Sequence, residues 1–153
     1  MILPMHYTSH SVEDTRLFAK EQALEFTRKY EGTPLVIALE GELGAGKTTF
    51  TQAFAEVLGV KETLKSPTFV LMKQYELHGV PFYSTLYHID CYRINDVGEL
   101  HIPGFDEMFR MHGNIVLIEW AERVRAILPN KHLVIHIDHV SEHIRNILVA
   151  YRN

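Results

Sequence analysis

One eight-residue stretch constrains this chain more than any other. Gly41-Glu42-Leu43-Gly44-Ala45-Gly46-Lys47-Thr48 fits G-x-x-x-x-G-K-[ST], the phosphate-binding P-loop. Such a loop works as a site only when a buried strand delivers it and a helix leaves it, and both flanks are present. Leu35-Val36-Ile37-Ala38-Leu39 is a short apolar run of the kind that forms a strand buried on both faces. From Thr49 to Leu58, the residues Phe50, Phe54, Val57 and Leu58 recur at helical spacing, and Gly59 supplies the stop.

The chemistry follows from the residue types. Gly41, Gly44 and Gly46 let the backbone approach an anion closely. The N–H groups of the loop, from Gly41 through Ala45 to Thr49, then face a phosphate together with the positive end of the helix. Lys47 reaches the β- and γ-phosphates as a mobile charge, and the Thr48 hydroxyl is a ligand for Mg²⁺.

The remaining pattern reads as one domain over residues 1–153. Ser11-Val12-Glu13-Asp14 opens a helix that runs to about Tyr30, with Val12, Ala19, Ala23, Phe26 and Tyr30 on one stripe. Phe69 to Leu77 and Phe82 to Ile89 read as a hairpin turned by His78-Gly79-Val80-Pro81. Phe105 to Met111 forms a short helix, and Ile115 to Ile118 a second buried strand. Trp120 to Leu128 reads as helical, and Leu133–Val140 with Ile144–Tyr151 as a final hairpin. The expected fold is α/β, a P-loop NTPase fold with a central parallel sheet, antiparallel strands at its edges and flanking helices.

A net charge of -4 argues against a broad basic surface for direct nucleic-acid binding, DNA included. With Cys91 as the only cysteine, no disulfide within the chain is possible. No apolar run approaches a membrane span, and the N-terminus lacks a signal-peptide pattern, so a cytoplasmic protein is expected.

A P-loop needs an acidic partner for the metal and a group that positions water. Glu119 follows the apolar Ile115–Ile118 run, and Asp90 ends Tyr87-His88-Ile89-Asp90. On spacing alone each either touches the nucleotide site or caps a neighbouring loop. Arg93, three residues after Asp90, reads as a surface ion pair ahead of an arginine finger that neutralises phosphate charge. Ser66 and Thr68 flank Pro67 in a loop after the P-loop helix, where a switch segment or an ordinary turn is expected. His132, His136, His139 and His143 cluster near the C-terminus, but their surroundings alternate like a strand and no cysteine joins them, so a structural zinc site is not expected.

At this point the residues resemble the TsaE family of small bacterial P-loop ATPases. The resemblance covers about Glu13 to Arg145. It rests on the P-loop extended through Thr49-Phe50, then Ser66-Pro67-Thr68-Phe69, Tyr87-His88-Ile89-Asp90-Cys91-Tyr92-Arg93, Gly104-Phe105-Asp106-Glu107 and Ile118-Glu119-Trp120. It implies an ATPase acting in the formation of N6-threonylcarbamoyladenosine in tRNA. ATP and Mg²⁺ would be its cofactors, TsaD and TsaB its partners, and tRNA would be reached through that complex. It implies phosphate binding by Lys47 and the loop amides, Mg²⁺ binding by Thr48 and Glu119, and a catalytic place for Asp90. A switch-like role at Ser66 and Thr68 and a nucleotide contact for Arg145 are implied as well. The chain departs from the family pattern at Cys91, Ala121 and Ile94–Gly98, without loss of a functional group.

Two other functions fit the P-loop. One is a small-molecule kinase, although Asn95 to Gly113 offers little arginine-rich lid, with Arg110 its only arginine. The other is a binding module in which nucleotide occupancy changes docking and hydrolysis is incidental. The sequence lacks an N-K-x-D base-reading motif that would select GTP.

Overall fold

A computed structural model describes residues 3–62, 64–65, 72–100 and 103–153. Seven strands form one mixed sheet: β1 (Met5–Ser9), β2 (Leu35–Glu40), β3 (Met72–Glu76), β4 (Thr85–Asp90), β5 (Asn114–Glu119), β6 (His132–His139) and β7 (Arg145–Arg152). Their order is β1-β7-β6-β2-β5-β4-β3. The four central strands β6, β2, β5 and β4 are parallel. Antiparallel β3 closes one edge, and antiparallel β7 and β1 close the other. This is the parallel core with antiparallel edges expected from the hydrophobic pattern.

The two central strands show why. Every residue of β2 and of β5 is buried. Alternate β2 side chains enter two separate cores. Leu35, Ile37 and Leu39 pack with Phe18, Phe26, Phe50 and Phe54 of the helices α1 (Val12–Lys29) and α2 (Lys47–Val57). Val36 and Ala38 pack on the opposite face with Met108, Phe109, Ala121 and Val124. The short helix α3 (Phe105–Met108) and the turns after β5 cover that second face.

Local structure departs from the sequence reading in the following places. Helix α1 starts as expected, with the Ser11 hydroxyl accepting a hydrogen bond from Asp14 N at 3.0 Å. Its buried face, however, runs through Thr15, Phe18, Ala19, Gln22, Ala23 and Phe26, and Val12 is exposed. The stripe therefore begins one turn later than the sequence suggests. Trp120 to Leu128 is not one helix. Trp120 adopts a left-handed φ of 58°, and two single 3-10 turns follow, Ala121–Arg123 and Arg125–Ile127. The left-handed residue at the start and the non-helical Val124, with φ -129° and ψ 23°, separate the two turns. Strand β1 has no counterpart in the sequence pattern: five residues with a weak two-residue alternation give little signal until β7 pairs with them.

The first strand of the early hairpin is described only over Met72–Glu76, paired with β4 as expected. Among the described residues, no helix is long and apolar enough to cross a membrane.

Candidate functional site

The loop between β2 and α2 is shaped by its glycines. Gly41 has φ 138°, and a Cβ there would lie 2.3 Å from the carbonyl oxygen of Ile137 on neighbouring β6. The strand pairing thus admits only glycine at this point. Gly46 caps α2 from the left-handed region with φ 110° and brings no side chain to the first turn. Helix α1 has its N-terminus satisfied by Ser11, whereas α2 presents its first N–H groups to the loop concavity. Leu43 is exposed at the loop tip.

Lys47 begins α2 and is buried, folded back over its own loop. Its Nζ donates to the carbonyl oxygens of Gly41 at 2.6 Å and Glu42 at 2.7 Å. The same ammonium lies 4.0 Å from the ring centroid of Trp120. Burial pushes its pKa down, while the carboxylates of Glu122, Glu119, Asp90 and Glu42 oppose that shift.

The two acidic candidates emerge beside this loop because the sheet is parallel here. Asp90 ends β4, Glu119 ends β5, and the two are register partners. Both are buried. Glu119 Oε1 accepts a 2.7 Å hydrogen bond from Thr48 Oγ1, which joins the end of β5 to the first turn of α2. Glu119 Oε2 lies 2.5 Å from Nε2 of the fully buried His88. Asp90 Oδ1 accepts from Tyr92 N at 2.9 Å, which turns the chain at the end of β4. Lys47, Thr48, Asp90 and Glu119 are therefore brought to one end of the sheet, where open α/β sheets bind ligands.

Arg145 approaches the loop from the other side. It opens β7 and donates from Nε to Ala45 O at 3.0 Å and from Nη1 to Ser141 O at 2.8 Å. A concavity of about 160 Å³ lies there, lined among others by Ser11, Thr15, Gly46, Thr49, His143 and Arg145. Arg93 is exposed. Ser66 and Thr68 lie outside the described residues.

Sequence reasoning assigns no role to two groups at this end. His88 is the first; its signal is the alternation Leu86, His88, Asp90 along one face of β4. Glu40, the residue before the loop, is the second. Its carboxylate is gripped by Arg125 through Nε at 3.1 Å and Nη2 at 3.0 Å. This bidentate pair ties the turns after β5 to the end of β2.

The donor chemistry fits Mg²⁺. Thr48 and Glu119 present hard oxygen ligands in direct contact with one another. Among the described residues, no group of three or more His, Cys, Asp or Glu could by itself enclose a metal. Mg²⁺ is commonly bound by one or two protein oxygens together with phosphate and water. Charge points the same way: buried Glu119 and Asp90 would repel a polyphosphate at this loop unless a cation lay between them.

Comparison with known proteins identifies the family. Residues 9–147 match the family model described as threonylcarbamoyl adenosine biosynthesis protein TsaE. The chain is 40% identical over 135 residues to the tRNA threonylcarbamoyladenosine biosynthesis protein TsaE of Bacillus subtilis, covering 88% of this chain and 78% of that one. It is 35% identical over 137 residues to the protein of the same name from Haemophilus influenzae, covering 89% and 83%. A crystal structure of Bacillus subtilis YdiB superposes with a TM-score of 0.72 at 33% identity, over 98% of this chain and 87% of that one.

Proposed function

This chain belongs to the TsaE family, and from that premise we propose that it is a Mg²⁺-dependent ATPase serving threonylcarbamoyladenosine formation in tRNA. The observation that supports this best is the Thr48–Glu119 hydrogen bond, which sets a metal-type oxygen pair beside the glycine loop and Lys47. In this reading the N–H groups of Gly44, Ala45, Gly46 and the first turn of α2 receive the phosphates. Lys47 exchanges the carbonyls of Gly41 and Glu42 for phosphate oxygens. Mg²⁺ held by Thr48 and Glu119 would neutralise charge on the β- and γ-phosphates. Asp90 orients the attacking water; the water oxygen bonds to the γ-phosphorus as the bond from phosphorus to the β,γ-bridging oxygen breaks, and the water proton passes to solvent, giving ADP and inorganic phosphate. The concavity at Ser11, Thr49 and Arg145 is the space for the nucleoside.

The reading extends to partners. TsaD and TsaB form the complex in which the chain acts, hydrolysis resets that complex between turnovers, and tRNA is contacted by the partners rather than by this acidic chain. The unpartnered ATPase is slow, and Ser66 and Thr68 belong to the segment that responds to nucleotide state.

The experiment is Mg²⁺-dependent ATP hydrolysis by the chain alone and with purified TsaD and TsaB, with Lys47→Ala as control. Stimulation by the partners, lost in the variant, is the expected result. Absence of both binding and stimulation under matched conditions would overturn the proposal.

A further inference from the structure

The ATPase reading leaves one buried side chain at the site without a task. His88 lies two residues before Asp90 on β4, so the two share a face of the sheet. It is wholly buried. Its Nε2 meets Glu119 Oε2 at 2.5 Å, and its Nδ1 has no hydrogen-bond partner among the described residues. An apolar side chain would fill this face without leaving a buried polar atom unpaired. The imidazole is therefore an expensive choice for packing alone.

What it adds is a second hold on one carboxylate. Thr48 on α2 donates to Oε1 of Glu119, and His88 on β4 reaches Oε2. The terminal torsion of a glutamate is broad and soft, so a carboxylate held at one oxygen swings. Held at both oxygens from two different elements, it does not. An ionised carboxylate only accepts, so a hold on Oε2 needs an N–H donor at Nε2.

We propose that His88 is a positioning residue, which fixes the Glu119 carboxylate against Thr48 and thereby sets how readily the site takes Mg²⁺ with its nucleotide. The inference rests on the ATPase reading and deepens it. His88 acts only through Glu119 and touches neither nucleotide nor metal.

The test is calorimetric ADP binding to the full chain across a Mg²⁺ series, for wild type, His88→Leu and His88→Gln. The leucine variant should bind ADP as wild type does without Mg²⁺. It should need about tenfold more Mg²⁺ to tighten that binding, the usual effect of losing an outer-shell partner. Glutamine, which keeps an N–H donor, should recover part of the response. Equal weakening with and without Mg²⁺, or an unchanged Mg²⁺ response, would overturn the inference while leaving the ATPase reading intact. A wild-type chain that binds no ADP under either condition would overturn both. Should the leucine variant fail to fold, imidazole ¹⁵N NMR on wild type still decides: a proton on Nε2 is expected, and a proton on Nδ1 alone would overturn the assignment.

Discussion

The ammonium of Lys47 lies over the ring of Trp120, 4.0 Å from its centroid, while it donates to the carbonyls of Gly41 and Glu42. The loop thus holds its cation against its own acceptors and an aromatic face. A phosphate in the loop competes for that same cation. Occupancy of the site by phosphate would therefore alter the surroundings of Trp120.

Trp120 is the only tryptophan, so its fluorescence reports this coupling without a label. Titration with ADP and Mg²⁺ should change its emission saturably, with a midpoint that matches calorimetric binding. Lys47→Met should abolish the change at the same ADP concentrations. Calorimetric binding by wild type with flat Trp120 emission would contradict the coupling.

The glycines of the loop should not be equivalent. At Gly41 a Cβ would strike Ile137 O, and the φ of 138° is closed to side chains. Gly41→Ala should cost about 3 kcal/mol in urea unfolding and lose ADP binding. At Gly44 nothing lies within 4 Å of the place a methyl would take, and φ is 78°. Gly44→Ala should cost only about 1 kcal/mol, the usual left-handed penalty. Equal losses would show that crowding by β6 does not define the loop.

The difference between these two glycines marks the limit of what the sequence disclosed. Spacing gave the loop, its strand and its helix because the motif and both hydrophobic periods agree over Leu35 to Leu58. Spacing also put Asp90 and Glu119 at strand ends. It could not show that they are register partners, since that depends on β5 inserting between β2 and β4. The pairs Thr48–Glu119, His88–Glu119 and Glu40–Arg125 span 71, 31 and 85 positions and have no local signature. Trp120 misled for a different reason: its neighbours suit a helix, but the chain must turn sharply at the end of β5.

Arg145 should act on the loop through shape as well as charge. Its guanidinium reaches the carbonyl of Ala45 in the P-loop and those of Ser141 and Ile144 in the turn between β6 and β7. An ammonium cannot reproduce that fork. Arg145→Lys and Arg145→Ala should both weaken ADP binding about tenfold, which corresponds to about 1.4 kcal/mol, with the Mg²⁺ dependence unchanged. Full affinity in the lysine variant would reduce the contribution of Arg145 to its charge.

The depressed pKa of Lys47 has a consequence of definite sign. Burial lowers it from an unfolded value of 10.5, against the partial opposition of Glu122, Glu119, Asp90 and Glu42. Between the folded value and 10.5, the unfolded chain binds more protons than the folded one, so stability contributed through this group rises with pH. Below the folded value both states hold the proton, and the burial penalty is fully present and constant. The unfolding free energy of wild type minus that of Lys47→Met should therefore grow as pH is raised through the folded value towards 10.5. Nucleotide reverses the balance: phosphate beside Nζ favours the charged ammonium, so ADP binding takes up a proton and weakens over the same rise in pH. Urea unfolding and calorimetric binding at matched pH values check the two arms. A difference that falls with pH in the free chain would show that the carboxylates, and not burial, dominate the ammonium.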